Sequence, residues 1–145
     1  MSMWDQFNNY VSSVQTYGDL SPDLQIRQQV NQRLRHRQAL KIEPWCREFQ
    51  RVTRSSPTLL MFVYQAFQRY SGIEFSRVRP HDRLIEDLQF PLVCWFDWTT
   101  SFCEDFIAQF GVDLSELFDE AEFVTLADVI IFLELQVSQA IPSQG

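Results

Sequence analysis

Seven apolar residues set between two local signals constrain this chain more than anything else in it. Leu59, Leu60, Phe62, Val63, Ala66, Phe67 and Tyr70 recur at i, i+3, i+4 and i+7, behind Ser55-Ser56-Pro57-Thr58 and ahead of Gly72. A serine before a proline reads as a helix start: the hydroxyl can cap free backbone N–H groups, and proline's fixed φ suits the first helical position. A glycine just past the last apolar residue reads as a stop. The spacing therefore predicts a helix over about 57–71 with a wide apolar face, which needs other elements to cover it.

Neighbouring segments carry the same kind of signal. Trp4, Phe7, Tyr10, Val14 and Tyr17 have helical spacing up to Gly18. Ser21-Pro22-Asp23 predicts a second start, with Ser21 capping, and a helix bearing Leu24, Ile26, Val30 and Leu34. Ile42-Glu43-Pro44-Trp45 predicts another, with Trp45, Phe49 and Val52 facing inward. Residues 73–94 read as a long connection interrupted by Pro80 and Pro91, with Ile73, Phe75, Val78, Leu84, Leu88 and Phe90 pinning it to a core.

A further helix is expected from about Trp95 to Phe110, closed by Gly111. One half of its wheel holds Trp95, Trp98, Phe102, Cys103, Phe106 and Phe110, and the other Asp97, Ser101, Glu104 and Asp105. A short helical turn is expected over Leu114 to Phe118. Thr125 and Asp128 have capping-box spacing ahead of Val129, Ile130, Leu133 and Val137, and the tail from Ser138 is expected to fray. No segment alternates strictly enough for a strand, so the fold class is all-α.

Composition narrows the function. Thirteen Phe, four Trp and four Tyr supply enough burial for a real core in 145 residues. The first twenty residues lack the basic-then-apolar pattern of a signal peptide. Apolar runs such as Leu59–Tyr64 and Val129–Leu133 fall far short of the roughly 20 residues that a membrane span needs. Cys46, Cys94 and Cys103 are odd in number and show no metal-type spacing, which fits free thiols in a reducing compartment. A cytoplasmic location is the expectation.

Charge is divided unevenly. All twelve Lys and Arg lie at or before Arg83, against seven acids, so residues 1–83 carry +5, while residues 84–145 hold twelve acids and no base, −12. Such a split implies that the halves attract each other, that the acidic half meets a basic partner, or that it only keeps the chain soluble.

The order of parts from about Ser56 to Gln139 resembles an acyl carrier protein. A first helix is followed by a loop with Asp82-Arg83-Leu84-Ile85-Glu86-Asp87-Leu88. A second helix ends Glu104-Asp105-Phe106-Ile107-Ala108-Gln109-Phe110-Gly111-Val112-Asp113, and a last one opens Val124-Thr125-Leu126-Ala127-Asp128-Val129. The family's loop ends in a similar D-x-L-x-x-D-L phrase, its second helix in an acidic stretch and F-G-[IV]-x, and its last helix begins T-[VL]-x-D-[LV]. The resemblance implies a helical domain over 56–139, preceded by an N-terminal helical extension over 1–55 and followed by a tail over 140–145.

The same resemblance exposes a departure. A working carrier has Asp-Ser-Leu at the start of its second helix, where the serine holds phosphopantetheine. Counting back from Phe110-Gly111 puts Trp95-Phe96-Asp97 there, whereas counting forward from Asp87-Leu88 puts Pro91-Leu92-Val93 there, so the loop holds a small insertion and neither count gives a serine. Ser101, Thr99 and Thr100 are all expected inside the helix. Loss of the prosthetic arm is the expectation. The motif is replaced by Phe90-Pro91-Leu92-Val93-Cys94-Trp95-Phe96-Asp97-Trp98, of which Trp95 and Trp98 are expected in the core and Leu92 and Phe96 at the surface.

Other chemistries have weaker support. No local signature pairs Cys46, Cys94 or Cys103 with His36 or His81 as nucleophile and base, and no ligand spacing indicates a metal. Adjacent acids such as Glu86-Asp87 and Glu104-Asp105 are ordinary on an acidic surface. Four scattered glycines leave little room for a phosphate loop. Arg33, Arg35, His36 and Arg37, with Arg47, Arg51 and Arg54, form a basic stripe that could meet nucleic acid, but cations also complement the end of a helix, and the acidic half would repel phosphate.

The sequence thus points to a non-catalytic adaptor or regulator, without cofactor or metal. Leu92, Phe96, Asp97, Ser101, Glu104 and Asp105 would meet a basic protein partner, and Arg33, Arg35 and Arg37 would form a second contact. A divergent carrier bearing phosphopantetheine and a nucleic-acid-associated regulator are the alternatives.

Overall fold

The computed structural model describes residues 21–140, and the helix expected over 1–20 lies outside them. Six α-helices follow in order: α1 Leu24–Leu34, α2 Ile42–Thr53, α3 Pro57–Ser71, α4 Phe90–Val93, α5 Trp98–Phe110 and α6 Leu126–Ala140, with 3-10 turns at Phe75–Arg77 and Glu120–Glu122. Among the described residues there is no strand. One isolated antiparallel bridge joins Arg83 to Thr125.

Local chemistry sets most boundaries. The Ser56 hydroxyl accepts from Leu59 N ahead of Pro57, and Gly72 ends α3 at φ 69°, its N–H donating to Gln68 O. Thr125 and Asp128 exchange reciprocal bonds, each backbone N–H donating to the other's side-chain oxygen at 3.1 Å, and so start α6. Asp23, rather than Ser21, caps α1, accepting from Gln25 N and Ile26 N. A carboxylate reaches these donors and adds charge that favours the positive helix end.

One hydrophobic cluster spans the described chain. Val30 and Leu34 of α1 and Trp45 and Phe49 of α2 share it with Leu59, Phe67, Phe90, Trp98, Phe102, Phe106 and Leu133. The expected boundary at 55/56 thus falls between elements that bury one core. Trp45 stacks on Phe49 at 3.9 Å, meets Tyr64 edge-on at 4.9 Å, and donates its indole N–H to Val78 O at 3.1 Å. Ring pairs of this kind add about 0.5–1.5 kcal/mol beyond area burial. The long connection is pinned as expected, with Ile73, Phe75, Val78, Leu84, Leu88 and Phe90 all fully buried.

Four expectations need correction. Val52, expected to face inward, is 40% exposed, and Leu24, one of the apolar residues of α1, is 66% exposed. Both lie near helix ends, where no neighbouring element covers their side of the wheel. Pro91 does not interrupt structure; it sits in the first turn of α4, where its missing N–H is harmless. The tail does not fray at Ser138, because α6 runs to Ala140. Most important, α5 begins at Trp98 instead of Trp95. Cys94 is extended at φ −93° and ψ 163°, which ends α4 and breaks the wheel on which Trp95 was placed.

Candidate functional site

That break creates the most distinctive surface of the molecule. The chain leaves α4, buries Cys94, turns outward through Trp95, Phe96 and Asp97, and re-enters the core at Trp98. Trp95 and Phe96 are 52% and 45% exposed, so Phe96 is at the surface as expected, while Trp95 is not in the core. Trp98 is 2% exposed and contacts the rings of Phe67, Phe90 and Phe118 edge-on. Leu92 is half-buried, and its carbonyl accepts from Asp23 N at 2.8 Å.

The expected acidic face of α5 is only partly free. Asp97 stands at the N-cap position without a side-chain capping bond, and Asp97 and Glu104 are exposed. Ser101 is half-buried. Asp105 is committed to α3, where Arg69 Nη2 donates to it at 3.0 Å and the Tyr70 hydroxyl makes a short bond to the same oxygen. Burial, with the Asp105 carboxylate beside it, raises the Tyr70 pKa. Elsewhere in the acidic half, Glu86 and Asp87 pair with Arg83. Among the described residues Asp97, Glu104, Asp113, Glu116, Asp119, Glu122 and Asp128 have no cation partner.

The three arginines of the second expected contact each have a contact within the chain, while Arg33 and Arg35 remain exposed. Arg37 holds Asp82 through both guanidinium nitrogens, Arg33 donates to the Asp87 carbonyl at 3.3 Å, and Arg35 lies 4.0 Å from Glu74. Arg33 and His36 line an open cleft of about 440 Å³ together with Gln29, Gln32 and Gln89. A separate groove of about 330 Å³ is lined by Ile42, Cys46, Gln50, Pro57 and Met61 of α2 and α3.

One arrangement was not visible in the sequence. Glu120, in an acidic loop, is half-buried with its Oε2 shut off from solvent, and desolvation pushes its pKa up to about 7. The Trp98 N–H lowers that value somewhat, yet neither Trp98 Nε1 nor Glu120 Oε2 has a direct hydrogen-bond partner. No local pattern distinguishes Glu120 from its exposed neighbour Glu122; only the fold does.

The thiols give no sign of activation. Burial raises Cys46, Cys94 and Cys103, the direction opposite to that of a nucleophilic thiolate. Among the described residues no group of three or more His, Cys, Asp or Glu is placed to hold a metal, and no helix is long and apolar enough to cross a membrane. No family model, curated protein or solved structure matches the chain.

Proposed function

We propose that this protein is a non-catalytic interaction module on an acyl-carrier-like helical bundle, docking a basic protein partner at the start of α5. The observation that carries the reading is the exposed Trp95–Phe96 pair next to the exposed Asp97, with Glu104 exposed two turns further along α5. Aromatic anchors supply much of the energy of an interface, and surrounding charge sets orientation and encounter rate. The helix order over 57–140 and the capping box at Thr125 support the resemblance. Neither stretch that stands where a carrier has Asp-Ser-Leu, Trp95-Phe96-Asp97 or Pro91-Leu92-Val93, offers a hydroxyl side chain.

The test is affinity capture with the whole protein, alongside Trp95→Ala/Phe96→Ala and Glu104→Lys variants. A partner captured by the wild type, lost by both variants and released by raised salt supports the reading. Capture that neither variant alters overturns it.

A second reading has one observation behind it. With α5 beginning at Trp98, Thr100 falls in its first turn and is exposed. Intact mass after incubation with coenzyme A and a phosphopantetheinyl transferase decides: a gain of one arm, abolished in Thr100→Val, would make the chain a carrier.

A further inference from the structure

The groove of α2 and α3 has an apolar floor on a rigid support. Ile42 and Cys46 of α2 line it with Pro57 and Met61 of α3, in a volume of about 330 Å³. Met61 is 43% exposed, a large apolar side chain left open to water. The two helices are held together by the fully buried Trp45, which stacks on Phe49 and meets Tyr64 of α3 edge-on at 4.9 Å. Gln50, itself part of the lining, donates its side-chain amide to Ser55 O at 3.1 Å and fixes the short connection between the helices. The groove is therefore formed before anything enters it, which spares a ligand much of the ordering cost.

Its rim on α2 is basic. Arg47 lines the groove, and Arg51 and Arg54 follow at i+4 and i+7, on the same side of the helix. All three are exposed, and none makes an ion pair or a side-chain hydrogen bond among the described residues. Arg37, Arg77, Arg79 and Arg83, by contrast, all bond within the chain. A cation in the last turn complements the helix dipole, an explanation that reaches Arg51 and Arg54 but not Arg47. One acid lines the groove, Glu43 in the first turn of α2, and α3 carries none. Glu134 of α6, near the start of α3, accepts from Ser56 N at 2.6 Å.

We propose that this groove docks an acidic amphipathic helix of a partner protein, its apolar residues entering between Cys46 and Met61 while its Asp and Glu side chains meet Arg47, Arg51 and Arg54. Recognition of a helix in a groove takes affinity from apolar anchors and orientation from charge. Charge complementarity selects the occupant: three unpaired guanidinium groups run along one rim, and each can hold a carboxylate through two parallel bonds. A nucleic-acid backbone would use the arginines and leave the apolar floor empty. Methionine, flexible and polarisable, suits a floor that must fit an incoming side chain. The surface shares no residue with the start of α5 and takes a partner of the opposite charge, so it stands independently of the docking proposed there.

The experiment uses the full chain and a fluorescein-labelled synthetic peptide of about 15 residues, with Leu along one helical face and Glu flanking it. Fluorescence anisotropy reads binding. N-ethylmaleimide addition at Cys46, followed by intact mass, reads the place, since Cys94 and Cys103 are buried and Cys46 is not. The peptide at about ten times its Kd is expected to slow that addition about tenfold. Arg47→Glu/Arg51→Glu is expected to weaken binding on the order of tenfold, and Met61→Gln, near in shape but polar, about fivefold. Both replace exposed residues, and far-UV circular dichroism checks that each variant folds. A peptide that does not bind, that leaves Cys46 unprotected, or that binds both variants like the wild type overturns the proposal. So does equal binding, by the wild type, of a peptide with Lys in place of Glu or of a scrambled peptide of the same composition. A single-stranded oligonucleotide of matched charge that binds more tightly than the peptide assigns the arginines to nucleic acid instead. Cys46 that slows without peptide as the chain is concentrated assigns the groove to a second copy. Cys46 that reacts faster in Phe7→Asp/Tyr10→Asp assigns it to the chain's own first residues, and either result overturns the proposal.

Discussion

Arg37 grips Asp82 with both prongs of its guanidinium, Nη1 to Oδ2 at 2.7 Å and Nη2 to Oδ1 at 2.8 Å, and so ties the end of α1 to the loop that leads toward α4. Asp82 is 6% exposed and also accepts from Arg79 N at 2.7 Å, while Arg37 donates to the Arg77 carbonyl. The Asp82 backbone carbonyl in turn accepts from Leu126 N, carrying the connection on to α6. A residue read from the sequence as a partner contact is therefore a clasp within the fold.

Breaking the clasp from one side leaves a charge without its partner. Asp82→Ala is expected to lower unfolding stability by about 2 kcal/mol, less than the cost of stripping one member from a fully buried pair, because the Arg37 side chain is 39% exposed and regains water. Arg37→Lys is expected to recover little of that geometry, because an ammonium cannot span both carboxylate oxygens. Denaturant unfolding followed by far-UV circular dichroism checks both. A loss below about 0.5 kcal/mol for Asp82→Ala would show that the pair is hydrated and dispensable.

Two glycines with nearly equal φ should respond differently to alanine. Gly72 at φ 69° and Gly111 at φ 72° each end a helix in the left-handed region, so each substitution carries strain of about 1 kcal/mol. At Gly72 an added Cβ would lie 2.6 Å from the Arg27 side chain, whereas at Gly111 it meets nothing within 4 Å. Gly72→Ala is expected to cost more and to disturb the bond from Arg27 to the Val93 carbonyl. Thermal unfolding of the two variants, compared directly, tests the ranking, and equal losses would mean that Arg27 moves aside freely.

The capping box at the start of α6 gives a third prediction. Thr125→Ala removes the acceptor for Asp128 N, and Asp128→Ala removes the acceptor for Thr125 N. Each is expected to cost about 1 kcal/mol, and the double variant less than the sum of the two, because the bonds are reciprocal. A double-variant cycle by denaturant unfolding measures the coupling. Strict additivity would show that the two bonds act independently.

Helices and core were legible in the sequence wherever a local rule was decisive. Ser56-Pro57, Gly72, Gly111 and the Thr125/Asp128 pair each name their own boundary, and the six apolar residues that pin the 73–94 connection are identifiable by type alone. The start of α5 was not legible. A helical wheel assumes an unbroken helix, and the extended Cys94 that rotates Trp95 outward is imposed by the α4 turn and by α1 bonding to Leu92 and Val93. The intramolecular bonds of Arg33 and Arg37 were not legible for a related reason: their partners lie about 40 to 54 residues away, at Arg77, Asp82 and Asp87. Glu120 was invisible because the partial burial of one acid among exposed acids is set by tertiary contacts.

Glu120 yields the last prediction, with a definite sign. Its folded value near 7 stands above the ordinary 4.5, so between these the folded state binds more protons than the unfolded one. Stability from this residue is therefore fully present below about pH 4.5, falls as pH rises, and is lost above about 7. At about 1.36 kcal/mol per pK unit the full loss is about 3 kcal/mol, and water reaching the carboxylate reduces it toward about 1. Glu120→Gln cannot ionise, so it should match the wild type at low pH and exceed it by that margin above neutrality. Other groups, such as Asp87 held low by Arg83, impose slopes of their own, but these are common to both proteins and cancel in the difference. Chemical unfolding of the pair at a series of pH values measures that difference directly. A flat difference would mean that the folded carboxyl is as well solvated as in the unfolded chain, and the desolvated setting of Glu120 would have to be discarded.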